Sequence, residues 1–125
     1  MVILVADDSD FIRASIIKSL QKMKNIGTIH EAKSVPQSIE FIHNYNPEIV
    51  LIDIRMPGGT GFDVLKAANE NEACRLKIML TNYTFQHYKD KSESEGADYF
   101  FDKAVEFDKV FSIIENYTEN KVMEN

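Results

Sequence analysis

Six residues of this sequence combine chemistry with an informative position, because each closes a short apolar run. Asp7 and Asp8 follow the β-branched run at 2–6. Asp53 ends the run at 47–53, Thr81 ends 77–81, and Asp102 and Lys103 follow 97–101. Carboxylates held together repel one another, and an unpaired member of such a group has its pKa raised. A bound cation relieves that repulsion. Oxygen-only ligands in a water-accessible pocket favour Mg²⁺, which prefers octahedral geometry and keeps several waters. The same acids argue against a nucleotide cradle, since they would repel phosphate unless a metal stood between. Gly58, Gly59, Thr60 and Gly61 form a glycine-rich stretch, but no Lys-Ser or Lys-Thr follows it as a P-loop requires. It reads as a flexible loop entering a helix.

These residues can meet only if the elements behind them are strands of one sheet. The runs are apolar on both faces, as in a parallel sheet covered on two sides. A weaker strand is expected at 28–32. Helical patterns fill the intervals. The first has Ile12, Ile16, Leu20 and Met23 on one face, with Ser9 as N-cap. The second opens with Ser34 and Gln37 as a capping box and Pro36 in its first turn, over an inner stripe of Val35, Ile39 and Ile42. A third covers 62–70. The last places Phe107, Val110, Phe111 and Ile114 at i, i+3, i+4, i+7. A helix at 84–95 differs from these. Phe85 and Tyr88 are its only large apolar residues, Gly96 ends it, and it should dock loosely. The order βαβαβαβαβα predicts an α/β fold, a doubly wound open sheet with right-handed crossovers. Residues 1–120 form its one domain and 121–125 a polar tail, with fraying expected from Thr118 onward.

In such sheets ligands bind beyond the carboxyl ends of the strands. Neighbouring strands lie about 4.8 Å apart. If the first, third, fourth and fifth strands are neighbours, Asp7, Asp8, Asp53, Thr81, Asp102 and Lys103 converge on one pocket.

Four stretches now carry a resemblance: 2–10 (VILVADDSD), 52–58 (IDIRMPG), Leu80-Thr81, and 96–103 (GADYFFDK). In order and spacing, over essentially the whole chain, they resemble the receiver domains of two-component response regulators. The resemblance implies a five-stranded parallel (βα)5 flavodoxin-like sheet of order 2-1-3-4-5. It implies that Asp53 is the phosphoryl acceptor and that Asp8, Asp53 and the backbone carbonyl of Arg55 bind Mg²⁺ directly. Asp7 would hold metal-bound water. Lys103 would pair with the phosphoryl oxygens, Thr81 would move to bond them, and Phe100 would be the aromatic whose rotamer follows. The implied donor is a sensor histidine kinase or a histidine phosphotransferase. The implied output is contact with an unknown downstream protein through the fourth helix, fifth strand and fifth helix. Such a protein is a switch, not an enzyme on other substrates. The chemistry is coherent: phosphoryl transfer needs in-line positioning and neutralised equatorial oxygens, and a carboxylate is a competent nucleophile.

Two positions depart from the family pattern. Ala104 stands where a cis proline commonly follows the lysine. A cis non-prolyl bond costs about 2.5–4 kcal/mol, so this loop is strained or runs in trans. Asn82 and Tyr83 follow the switch hydroxyl where a small residue is usual, and Tyr83 narrows access to Asp53.

The remaining features bound the reading. Of 125 residues, 44% are hydrophobic and 27% charged, which suits a folded domain. A net charge of -6 disfavours nucleic acid, which needs a basic face. The apolar start is too short for a membrane span or a signal peptide core. One cysteine, Cys74, allows no intrachain disulfide and fits a cytoplasmic setting. Cys74 and the three histidines, which share no metal spacing, are assigned no role, and Arg55 is expected to be solvated beyond its carbonyl. Asp7 and Asp8 read alone as a helix N-terminus, Thr81 as a strand residue and Phe100 as core. Haloacid-dehalogenase-type phosphatases also use a strand-end Asp, but need a second Asp where Arg55 stands. A flavodoxin-like redox protein would have a hydroxyl-rich first loop. A pseudo-receiver, a protein-binding module that is not phosphorylated, is the alternative: the intact acidic set argues against it and Ala104 mildly favours it.

Overall fold

The computed structural model describes the backbone of residues 1–123 and the side chains of residues 1–121. Five strands, β1 (Val2–Ala6), β2 (Thr28–Ala32), β3 (Ile49–Ile52), β4 (Leu76–Thr81) and β5 (Tyr99–Asp102), form one sheet. Every pairing in it is parallel and the order is β2-β1-β3-β4-β5. The helices are α1 (Asp10–Gln21), α2 (Val35–Tyr45), α3 (Gly61–Asn69), α4 (Gln86–Ser94) and α5 (Phe107–Met123). This is the doubly wound fold that the alternation of runs predicts.

Strand periodicity sorts the apolar runs between two cores. Leu4, Ala6, Val50, Ile52 and Met79 face α2 and α3, where Val35, Ile42, Val64 and Leu65 meet them. Ile3, Val5, Ile49, Leu51, Ile78 and Leu80 face α1 and α5, against Ile16, Leu20, Val110 and Ile114. Cys74 is buried in the first core, and burial pushes its thiol up to about 11, so it is chemically quiet.

The caps explain where the helices begin. Ser9 accepts a hydrogen bond from the Ile12 N–H. Ser34 accepts from the Gln37 N–H, while the Gln37 side chain accepts from the Lys33 N–H, one residue outside the expected box. Residues 55–60 are ordered rather than flexible. Arg55–Met56 pair antiparallel with Gly59–Thr60, and Thr60 with Asp63 makes a reciprocal capping box for α3. Gly61 must be glycine, because a Cβ there would overlap the backbone carbonyl of Asp53.

Two expectations are corrected at the ends of elements. The last helix runs to Met123, past the expected start of fraying, because the Thr118 side chain is buried and its hydroxyl donates to the Glu115 carbonyl. Residues 124–125 of the expected tail lie outside the described residues. In α4, Phe85 is not an anchor: it is 58% exposed and caps the helix with no side-chain hydrogen bond. Only Ser92 is buried in α4, with Tyr88 packed at the edge of the core. No described helix is long and apolar enough to cross a membrane.

Helix stability comes mainly from packing of a buried face, so α4 should open at little cost. Amide hydrogen exchange should be fastest in α4 among the five helices and slowest in α5 within 107–117. Equal protection of the two would show that α4 is held by more than Ser92 and Tyr88.

Candidate functional site

The site follows from strand register. Ala6 lies opposite Ile52, so Asp7 and Asp53 emerge side by side, and the Asp53 N–H donates to the Ala6 carbonyl at 3.0 Å. Thr81 lies opposite Asp102, and the Lys103 N–H donates to the Thr81 carbonyl at 3.0 Å. Four neighbouring strands thus deliver their end residues to one place.

The carboxylates of Asp7, Asp8 and Asp53 each offer an oxygen, and these oxygens all lie within 4.8 Å of one another. Lys103 Nζ stands between two of them, 2.5 Å from Asp7 Oδ2 and 3.0 Å from Asp53 Oδ2. Asp7 Oδ1 is also engaged, accepting from the Ser9 N–H. Asp53 Oδ1 is buried without a hydrogen-bond partner, and the exposed Asp8 carboxylate pairs with none of the described residues. A buried polar oxygen left unsatisfied is costly. Here it adjoins a free carboxylate, an arrangement that fits a small hard cation with oxygen ligands.

The electrostatics reflect this crowding. Burial raises the Asp53 pKa above its ordinary 3.8. Lys103 opposes the shift, Asp7 adds to it, and the Thr81 hydroxyl opposes it slightly. For Lys103, burial works against the ammonium, but its hydrogen bond to Asp7 and the charge of Asp53 outweigh that and hold its pKa above the ordinary value.

Thr81 is fully buried, its Oγ1 accepts from the Tyr83 N–H at 3.0 Å, and its hydroxyl is directed at Asp53. Phe100 lies opposite Met79 in β5, partly buried against the core shared with α2 and α3, while Tyr99 beside it is 39% exposed. The Lys103–Ala104 peptide is trans, as are all described peptide bonds. The loop is aimed by other means. Asp102 Oδ1 accepts from the Ala104 N–H at 2.8 Å, a bond proline could not make, and Glu106 accepts from the Asp102 N–H. Asp102 therefore serves the loop and does not enter the carboxylate cluster.

Arg55 is not merely solvated. Its guanidinium lies 4.4 Å from the centroid of the Tyr83 ring, tying the loop after β3 to the loop after β4. Arg13 was not legible as a site residue. It is buried, donates from Nη1 to the Asp7 carbonyl at 2.8 Å, and pairs with Asp10 and Glu31. It braces the backbone that carries the acid pair. Asp10 at i−3 is the one signal in the sequence for this role.

These features agree with known proteins. The model of the response regulator receiver domain matches residues 3–115, and the chain belongs to that family. It is 33% identical over 120 residues to a protein-glutamate methylesterase/protein-glutamine glutaminase of Lawsonia intracellularis, covering 96% of this chain and 30% of that protein. It is 28% identical to the chemotaxis protein CheY of Halobacterium salinarum, covering 90% of this chain and 92% of that one. Its fold matches a CheY-like response regulator receiver domain protein of Methanospirillum hungatei with a TM-score of 0.81 at 23% identity, over 99% of this chain and 98% of the other. Several curated relatives are longer: the chain spans 53% of the Fimbriae Z protein of Salmonella typhimurium and 22% of a methylesterase of Idiomarina loihiensis.

Two outcomes test the electrostatics and the brace. The folded protein keeps the Asp53 proton to a higher pH than the unfolded chain does. Without metal, its contribution to stability therefore falls as pH rises from 3.8 through the raised value. In EDTA, the stability of Asp53→Asn relative to the parent should rise across that window, and a pH-independent difference would sink this account. Arg13→Ala should cost about 1–3 kcal/mol in urea unfolding, because the Asp7 carbonyl loses its charged donor.

Proposed function

We propose that this receiver domain is a phosphorylation-controlled signalling switch that accepts a phosphoryl group on Asp53. The observation that carries this reading is the pairing of a buried, unpartnered Asp53 Oδ1 with a Lys103 ammonium 3.0 Å from Oδ2. Asp53 is the nucleophile: its carboxylate oxygen attacks the phosphorus of a phosphohistidine or of acetyl phosphate, the P–N or P–O bond breaks, imidazole or acetate leaves, and an acyl phosphate remains on Asp53. Lys103 would leave Asp53 and pair with an equatorial oxygen, and the Thr81 hydroxyl would donate to another.

Mg²⁺ is the cation this reading requires. Asp8, Asp53 and the Arg55 carbonyl would hold it, with Asp7 acting through water, since both Asp7 oxygens are already engaged. When bound it supplies charge neutralisation at the transferred group.

The donor would be a histidine kinase or histidine phosphotransferase in the cytoplasm. Two exposed apolar side chains flank the pocket as contacts for it: Phe11 in the first turn of α1, 81% exposed, and Val105, two residues past Lys103, 79% exposed. The output would be a downstream protein reading α4, β5 and α5. A cleft of about 200 Å³ between α4 and β5, with Lys89, Glu93, Tyr99 and Phe100 among its walls, leaves room for the Phe100 ring to change place. Inward movement of Thr81 would then bias weakly held α4 toward one of its positions.

Incubation with acetyl phosphate and Mg²⁺ should add the mass of one phosphoryl group to the parent and none to Asp53→Asn or to the parent in EDTA. The Asn variant should melt as a folded domain. An unlabelled parent would favour a binding module without phosphorylation, and a stably labelled Asn variant would rule out Asp53 as acceptor.

A further inference from the structure

A second pocket lies on the other side of α4, away from the cleft against β5. It opens between α4 and the ribbon of residues 55–60, with a volume of about 510 Å³. Ile54, Met56, Phe62 and Tyr88 supply its apolar surface. Arg55, His87 and Lys91 stand with them, and no carboxylate lines it. The surface is locally basic in a chain of net charge -6. Lys91 Nζ lies 4.7 Å from the centroid of the Phe62 ring, and Arg55 lies over Tyr83. Neither cation has a carboxylate partner among the described residues.

Aromatic surface continues out of the pocket. Phe62 meets Tyr88 at 6.0 Å, Tyr88 meets His87 at 4.3 Å, and Phe85 lies 5.8 Å from His87 and 5.9 Å from Tyr88. This chain of rings runs from Phe62, 8% exposed, to Phe85, 58% exposed. Phe85 has no role in anchoring α4, and its exposed ring extends the aromatic surface through His87 and Tyr88. Aromatic and Arg side chains at a concave surface are the usual composition of a binding hot spot.

We propose that this pocket is a docking site for an acidic peptide segment of a partner protein that carries one large apolar side chain. The apolar side chain would enter between Phe62 and Tyr88, and flanking carboxylates would pair with Arg55 and Lys91. The volume admits one or two side chains. Charge sets the direction of the occupant. Further along the same helix pair the three acids Asp63, Glu70 and Glu95 line the groove with Lys66 and the shared Lys91, so the carboxylates of the peptide belong at the acid-free Arg55 end. The site is separate from the cleft on the β5 side, and its existence does not depend on phosphorylation of Asp53.

The test is an NMR titration of the full chain with a blocked Asp-Glu-Phe-Glu-Asp peptide. Amide shifts should saturate and concentrate at Arg55, Thr60, Phe62, His87, Tyr88 and Lys91. Lys91→Glu exchanges one exposed charge, so a thermal melt should confirm an intact fold, and peptide affinity should fall by roughly tenfold, the scale of one lost charge-assisted contact. Replacing the peptide's Phe with Gly should weaken binding, and a Lys-Lys-Phe-Lys-Lys peptide should not bind. Equal binding of the basic peptide, scattered shifts, or an unaffected Lys91→Glu variant would overturn the proposal. So would concentration-dependent dimerisation abolished by Lys91→Glu, which would make a second copy the occupant. Binding to phosphatidylglycerol vesicles in preference to the peptide would assign the surface to a membrane instead.

Discussion

Carboxylates gathered at the ends of neighbouring strands cannot all stay charged in a buried pocket unless a cation stands among them. In this molecule the cation is Lys103, whose ammonium joins β5 to Asp7 after β1 and to Asp53 after β3. The bridge spans the sheet at its carboxyl edge. It depends on a register in which Ala6 faces Ile52 and Thr81 faces Asp102. A slip of one residue would turn each strand's side chains to the opposite face and scatter the end groups. Core packing and site geometry are therefore one constraint. The alternation that sends Val5 and Leu51 toward α1 and α5 is also what brings Asp7 and Asp53 together.

Around the bridge, backbone positions are secured by side chains that do no chemistry themselves. Arg13 holds the Asp7 carbonyl, Gly61 admits the Asp53 carbonyl, and Asp102 with Glu106 shapes the loop behind Lys103. The last of these shows how a local rule can be replaced. A proline after the lysine would fix the loop through its ring. Ala104 fixes it through an N–H that proline lacks. The ammonium arrives between the same two carboxylates by a different local solution.

Much of this was legible in the sequence, because an apolar run that stops at a charged residue marks both a strand and the end at which a ligand can sit. Asp7, Asp8, Asp53, Thr81 and Lys103 were readable for that reason. The strand order became readable through the resemblance to receiver domains. What escaped has a common physical cause: it depends on contacts between segments distant in sequence or on a loop's own conformation. Burial of Arg13 requires Glu31 and the Asp7 backbone to surround it. The stacking of Arg55 on Tyr83 joins two loops that no periodicity connects. The ribbon at 55–60 is too short to show a pattern of its own. The exposure of Phe85 escapes the sequence for the opposite reason. An aromatic at the start of a polar helix resembles an anchor, yet nothing in its spacing says whether a neighbour lies beneath it.

The weakness of α4 follows from the same geometry. Its neighbours α3 and β5 each present a concave surface to it, and it fills neither. The cleft against β5 and the pocket against the ribbon lie on its two sides, with Tyr88 and Ser92 as the packed residues between them. A helix seated on so narrow a strip can tilt toward one side only by opening the other. Any ligand with different affinities for the two positions shifts their populations, and a second ligand on the other side then feels the same free energy with the sign set by which position it prefers. The firm packing of α5 and the register of the central strands confine such motion to α4 and the surfaces beside it.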